Sequence, residues 1–473
     1  MKHFVVCIFL LFLFQKPEAQ QTVNDSIFQK NKKDSLISNE NVVIGNIKII
    51  GNKKTKSYII LREMAFKEGD IIVSSELKNK LETSRQLIYN MALFVDDSVY
   101  VSSQVNNIVS ITIRVKERWY LFPIPYFVLA DRNFNEWLVQ EKASLDRVDY
   151  GIRLSHSNLM GMNDKLNIML INGYDQQISL RYQLPFVNKT LTKGFSVGFL
   201  YSRQHEINYA TDINNEQLFL KLDNDFSRKY TRFDVTYSYR PNQRFRHYFR
   251  VSFNDEWIAD TVLKLTQTYF PNQLNNVKYP DLTYTFQYYN ADYYAYPTKG
   301  FIGQASIYKR GLNDLTNLWQ VGVRGIYSIL FSNKSFLRLE GAANIKFPYN
   351  PYFFSQALFG YGFMQMRGLE YYVIDGMAGA LGKFTFAHQL FHFIAKNPVK
   401  SITHDRIPFR FYAKIYSDLG YAYNPYINNN LLNNTLLRTW GFGLDIVSIY
   451  DIVFRFEYSF NQLGNNGIYL HAQ

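Results

Sequence analysis

From Trp119 onward the sequence alternates apolar and polar residues over segments of about ten residues, and few folds satisfy that pattern. Ile178, Leu180, Tyr182 and Leu184 share one side of a strand, and Gln177, Ser179, Arg181 and Gln183 the other. The same period places Ile452, Phe454, Phe456, Tyr458 and Phe460 opposite Arg455, Glu457 and Ser459. A soluble β-sandwich also alternates, but its strands usually run about 5–6 residues, whereas a tilted membrane-spanning strand needs about 9–11. A charge facing lipid near mid-bilayer costs about 2–4 kcal/mol, so the charged face must line a lumen. The pattern therefore predicts a mainly β protein with a 16-stranded transmembrane β-barrel over 119–473.

Composition supports this class. The chain of 473 residues has 39 Phe, 37 Tyr and 5 Trp, or 17% aromatic, which suits aromatic girdles. Mean hydropathy is −0.22, and no apolar run beyond the N-terminus is long enough for a membrane-spanning helix. The alternation predicts strands at 121–129, 147–157, 164–173, 177–185, 194–205, 229–240, 245–256, 281–290, 300–309, 317–331, 335–347, 377–393, 408–422, 438–447, 451–460 and 466–473. Residues 216–224 also alternate and are left open as an extra segment. An even strand number puts both barrel ends on one side, which suits an N-terminal domain there.

Residues 1–19 read as a signal peptide: Lys2 precedes the apolar run Phe4 to Phe14, with Ala19 before the cut. The single cysteine, Cys7, falls inside it, so the mature chain has no disulfide, thiol catalysis or Cys-ligated metal. Net charge is +13, and +12 after the cut, but the cations are scattered among aromatics; no nucleic-acid partner is expected. Residues 20–40 read as a flexible leader. No phosphate-binding Gly-rich loop, H-E-x-x-H helix or Gly-x-Ser-x-Gly elbow occurs, so no enzyme, cofactor or metal is expected.

Residues 41–118 change period. Val42 to Ile50 reads as a strand, Lys56 to Met64 as helical, and Ser75 to Met91 carries Leu77, Leu81, Leu87 and Ile88 at helical spacing. Two strands follow, near 97–103 and 108–115. This β-α-α-β-β order resembles a POTRA (polypeptide-transport-associated) domain. The residues that carry the resemblance are Gly51, Asn52 and Thr55 after strand one, Gly69, Leu93-Phe94 before strand two, and Glu117 closing strand three. The resemblance implies a periplasmic domain whose second strand accepts extended client segments by β-augmentation.

The long connection 348–376 contains Met366-Arg367-Gly368-Leu369. It resembles the sixth extracellular loop of the outer-membrane protein assembly and two-partner-secretion superfamily (BamA/TamA-like bacterial surface antigens), which enters the lumen with an Arg-Gly-aromatic motif. Leu369 stands at the aromatic position. The resemblance implies that Arg367 pairs with the acid of an Asp-x-Gly motif, matched by Asp418-Leu419-Gly420. The family's second acid corresponds to Gln389, in phase with Lys383 and Thr385. Further matches are Asn158-Leu159-Met160-Gly161 and Pro297-Thr298-Lys299-Gly300.

The barrel seam is expected to be weak. Pro123 and Pro125 in the first strand lack ladder donors, and the last strand, with Gly467, is short. The resemblance implies a bacterial outer-membrane protein that inserts, assembles or translocates clients. Its partners would be outer-membrane lipids, unfolded outer-membrane or secreted polypeptides, and accessory envelope proteins. The alternative is a passive porin-like or structural outer-membrane barrel, which gives the N-terminal domain no role.

Overall fold

The computed structural model describes residues 41–129, 148–312, 315–396, 406–427 and 429–472. The expected signal peptide and leader lie outside the described residues.

The N-terminal domain runs β1 (Asn41–Ile50), α1 (Ser57–Leu61), β2 (Ile71–Val73), α2 (Ser74–Tyr89), β3 (Phe94–Val105) and β4 (Ile108–Glu117). Its sheet order is β2-β1-β4-β3, with β1 parallel to β4. The expected order gains the short edge strand β2, whose three residues are too few to show a period. The core holds Ile44, Ile59, Ile60, Ile88, Leu93 and Ile111, all nearly inaccessible. Ile88 comes from α2, so the helical spacing read in the sequence brings that helix onto the sheet.

The chain then runs β5 (Leu121–Leu129), β6 (Val148–Ser157), β7 (Lys165–Gly173), β8 (Gln176–Leu184) and β9 (Lys193–Gln204). A separate hairpin follows, β10 (Glu206–Thr211) and β11 (Gln217–Lys221). Next come β12 (Arg228–Tyr239), β13 (Phe245–Ile258), α3 (Asp260–Leu265), β14 (Asn276–Ala291), β15 (Gly300–Arg310), β16 (Leu318–Leu330) and β17 (Ser335–Phe347). An insertion carries α4 (Phe353–Gln356), β18 (Ala357–Phe359) and β19 (Ile374–Asp375). The chain closes with β20 (Ala378–Lys396), β21 (Arg406–Tyr423), β22 (Leu436–Val447), β23 (Val453–Asn461) and β24 (Asn466–Ala472).

Sixteen of these strands form one antiparallel sheet, each paired to its neighbour in sequence once β10–β11 and β18–β19 are set aside. All sixteen segments expected from the alternation are present. Residues 217–221 are not a barrel strand: β11 pairs only with β10, and five residues are too few to span a bilayer. Along β21 the face order holds throughout. Tyr412, Lys414, Tyr416 and Asp418 are buried, whereas Ile415 and Leu419 are exposed on the outside. Phe233, Val235, Phe249, Val251 and Phe253 continue that apolar exterior on β12 and β13. Among the described residues no helix is long and apolar enough to cross a membrane.

The end away from the N-terminal domain is covered. Asn215, in the turn of the β10–β11 hairpin, is fully buried and donates to Val373 O (3.2 Å) and Asn433 Oδ1 (2.8 Å). Thr211 Oγ1 donates to Asp375 Oδ2 at 2.6 Å, and Phe353 N to Thr268 O at 3.0 Å. Hairpin, α3 segment and insertion thus form a joined cap.

Candidate functional site

The insertion turns into the lumen and is fixed by one arginine. Arg367 N donates to Asp418 Oδ2 at 3.1 Å, and its Nε to both carboxylate oxygens at 3.2 and 3.0 Å. Its Nη2 also bonds Asp418 Oδ1, and Nη1 donates to Thr385 Oγ1 at 2.9 Å. The guanidinium lies 4.0 Å from the Tyr416 ring centroid. Asp418 is fully buried, so the pair satisfies a carboxylate that water does not reach. Gly368 has φ +84°, and a side chain there would begin 3.0 Å from Ser459, so the tight passage after Arg367 favours glycine. Met366 and Leu369 are buried with Phe359, Met364 and Leu437, so Leu369 fills an apolar pocket where the resemblance has an aromatic ring. Gly420 lies directly beneath Phe359 and Met366.

Gln389 has no part in this cluster, which corrects the expected correspondence. Its backbone N bonds Lys334 O, in the turn before β17, and among the described residues its side chain meets His392 at 3.5 Å. It shares a face with Thr385 but stands four residues farther along β20, roughly 13 Å away at strand rise. The second acid is Glu457 on β23, whose Oε1 is 3.9 Å from Arg367 Nη1. Lys414 Nζ bridges Glu457 (2.6 Å) and Asp445 (2.5 Å), and Tyr296 OH donates to Asp445 Oδ2 at 2.9 Å. His471 Nε2 on β24 is 3.3 Å from both Glu457 and Glu370. Charge on an inward alternation position was the available signal for Glu457 and Lys414.

The seam lies beside this cluster. Among the described residues no ladder joins β5 to β24, the two ends of the sheet. β5 is fully paired on its other side, from Leu121↔His156 to Leu129↔Val148, with Pro123 and Pro125 inside that register. β24 pairs only with β23, and Gly467 stands opposite Ser459. Side chains approach across the gap at the end near the N-terminal domain. Trp119 N donates to Tyr450 OH (3.2 Å), Phe122 stacks edge-on to Tyr450 (5.2 Å), and Arg118 meets Asp451 (3.4 Å).

The N-terminal motif residues converge where the domain meets the barrel. Glu117 accepts from Lys54 N (3.0 Å) and Thr55 N (2.6 Å), and Asn52 Nδ2 donates to Thr55 O at 3.0 Å. Thr55 Oγ1 accepts from Asn158 Nδ2 at 2.9 Å and meets Tyr120 OH at 3.1 Å. Gly161, with φ +79°, brings its Cα so close to Lys54 O that a side chain would start 2.3 Å from it. Gly51 lies against β4, Gly69 turns into β2, and Leu93 and Phe94 are buried at the start of β3.

A family model described as "POTRA: Surface antigen variable number repeat" matches residues 42–118. Residues 42–118 are thus similar to a POTRA domain, the name used for them below. No curated protein matches the chain. Among solved structures, the chain is similar to BamA from Haemophilus ducreyi lacking POTRA domains 1–3, at 14% identity and TM-score 0.48, covering 91% of this chain and 83% of that one. It is also similar to CdiB from Acinetobacter baumannii, at 13% identity and TM-score 0.45, covering 91% and 72%. CdiB from Escherichia coli aligns at 9% identity and TM-score 0.46, covering 94% and 92%.

The POTRA domain is bolted to the barrel by a buried ion cluster that sequence reading did not reveal. Arg240, in the turn after β12, grips Glu63 at 2.7 and 2.8 Å, and Arg62 meets the same carboxylate at 3.0 Å. Burial alone would raise the Glu63 carboxyl, but Arg240 and Arg62 hold it below the usual range. Gln243 Nε2 donates to Arg62 O and Met64 O, and Arg62 Nη2 to Arg240 O. The POTRA domain therefore sits across one mouth of the barrel as a fixed cover.

Proposed function

We propose that the chain is an outer-membrane barrel of the BamA/TamA-like superfamily that inserts, assembles or translocates client polypeptides. Its POTRA domain lies in the periplasm and captures the clients. The observation that carries this reading is a POTRA domain fixed to a sixteen-stranded barrel whose first and last strands share no ladder among the described residues. A closed barrel has no edges, whereas a machine that hands strands to a membrane needs one. The anchored insertion and the covered mouth disfavour passive diffusion.

β3 is the outer strand of the POTRA sheet, paired only with β4. Its unpaired backbone groups offer affinity with little demand on client sequence. Photocrosslinkers placed along 97–103 in cells should capture nascent outer-membrane or secreted chains. If they capture nothing while the barrel is functional, the capture role fails.

A further inference from the structure

The two sides of the lumen wall carry their charge differently. On the side of β20–β23, Arg367 and Lys414 are enclosed by the buried carboxylates of Asp418, Glu457 and Asp445, with Lys383 and Arg455 close by. On the other side β6, β7, β8, β12 and β13 turn Arg153, Lys165, Arg181, Arg232, Arg246 and Arg250 inward. The carboxylates among them lie behind the cations. Asp234 and Asp281 keep 1% and 5% side-chain exposure, whereas Arg181, Arg232 and Arg250 keep 35%, 28% and 31%. Asp234 is shared by Arg181 at 2.6 Å and Arg232 at 3.6 Å. Asp281 is 4.0 Å from Arg250 and already accepts from Ser252 and Asn254. The face presented to the lumen is thus guanidinium.

The row has a lower end. A cavity of about 160 Å³ between the POTRA domain and the barrel is lined by Lys165 and Arg246 beside Arg240 and Glu63. Arg246 lies over the Tyr289 ring at 4.2 Å, and its charge helps hold Glu63, which Arg240 and Arg62 already pair, below the usual carboxylate range. Registers set the heights above it: Arg250 faces Thr236, and Arg232 faces Asn254, one step farther from the POTRA domain. Four residues of strand separate Arg246 from Arg250, roughly 13 Å.

We propose that this row guides an acidic, extended polypeptide segment from the POTRA junction along the lumen wall, so that the clients carry acidic stretches. The inference rests on the client-handling reading above and names the client's chemistry. Exposed guanidiniums on a low-dielectric wall concentrate a positive potential and bind carboxylates bidentately without fixing a sequence. An extended chain fits because the cations are spaced along the strand faces rather than gathered in one pocket. Continuity with the POTRA junction favours a polypeptide over other polyanions.

The test uses the full chain in nanodiscs and two fluorescent peptides of about 16 residues, roughly 55 Å when extended, one alternating Glu and Ser and one Gln and Ser. Anisotropy at about 50 mM salt should show the Glu peptide bound about tenfold more tightly, an advantage that fades near 500 mM as screening shortens. K165Q/R246Q, which strands no carboxylate, should reduce the advantage to less than about threefold, and R250Q is the second variant should the first fail to fold. Equal binding of the two peptides, or an advantage untouched by either variant, overturns the proposal. Binding of dextran sulfate without binding of the Glu peptide also overturns it and assigns the row to anionic polysaccharide. The readings fail separately: crosslinks from 97–103 to clients with no acidic preference remove the row alone, whereas absent crosslinks remove the client reading beneath it.

Discussion

Arg367 and Asp418 form a pair in which neither partner tolerates the loss of the other. Asp418 is fully buried and Arg367 is 12% exposed, so Arg367→Ala leaves an uncompensated charge in the wall. Breaking such a pair costs about 3–5 kcal/mol, while removing both partners leaves no orphan. Urea unfolding in bilayers should therefore show the double variant Arg367→Ala, Asp418→Ala less destabilised than the sum of the single ones. Additivity within about 0.5 kcal/mol would mean that the two are not coupled. Arg367→Lys keeps the charge but loses the forked contact to Asp418 and the bond to Thr385, and should fall between wild type and Arg367→Ala. In cells, Arg367→Ala should impair client handling more than barrel assembly.

At the scale of the element, β3 carries a titrating group inside its binding edge. Burial pushes the Asp97 carboxyl up to about 7, although Arg85 at 3.5 Å opposes the shift. The folded domain thus binds this proton more tightly than the unfolded chain does. The group's contribution is fully present below about pH 4 and is lost as pH rises through about 7. Hydrogen exchange along β3 should be faster at pH 8 than at pH 5, after correction for intrinsic rates, and Asp97→Asn should flatten that difference. An unchanged profile in Asp97→Asn would assign the dependence to another group. The POTRA cover gives a second element-scale expectation. Glu63→Ala leaves Arg62 and Arg240 facing each other, so deuterium uptake should rise in α1 and in the turn 240–244 while β21 stays protected. Unchanged uptake in both would mean that the other contacts, among them Gln243 with Arg62 and Met64 and Thr55 with Asn158, hold the cover without Glu63. The barrel strands were legible because lipid outside and water inside impose a period of two on every one of them. That period reports the face of a residue and not its height, so the family correspondence and the shared phase with Thr385 do not bring Gln389 to Arg367, and the period does not single out Glu457 as its neighbour. It is also blind to strands too short to repeat, such as β2. The bolt between Glu63 and Arg240 joins residues 177 positions apart, and neither has a local pattern to mark it.

At the scale of the whole molecule, one mouth of the barrel is covered by the POTRA domain and the other by the joined cap, while the lumen holds the anchored insertion. Among the described residues, no ladder closes the side between β5 and β24. The inner face of β24 is tied to the insertion rather than to β5: Tyr469 lies 5.7 Å from the Tyr371 ring, and His471 lies beside Glu370. Each ladder bond missing at the seam forfeits about 0.5–1.5 kcal/mol, so opening there needs less free energy than at any fully paired neighbour. The most direct measurement is to lock that seam. One cysteine on Leu121–Leu129 and one on Asn466–Ala472 can be introduced without interference, because Cys7 is the sole native cysteine. The account predicts that oxidation abolishes client insertion and that a reductant restores it. Full activity with the seam locked would contradict it and show that clients do not leave through the side of the barrel.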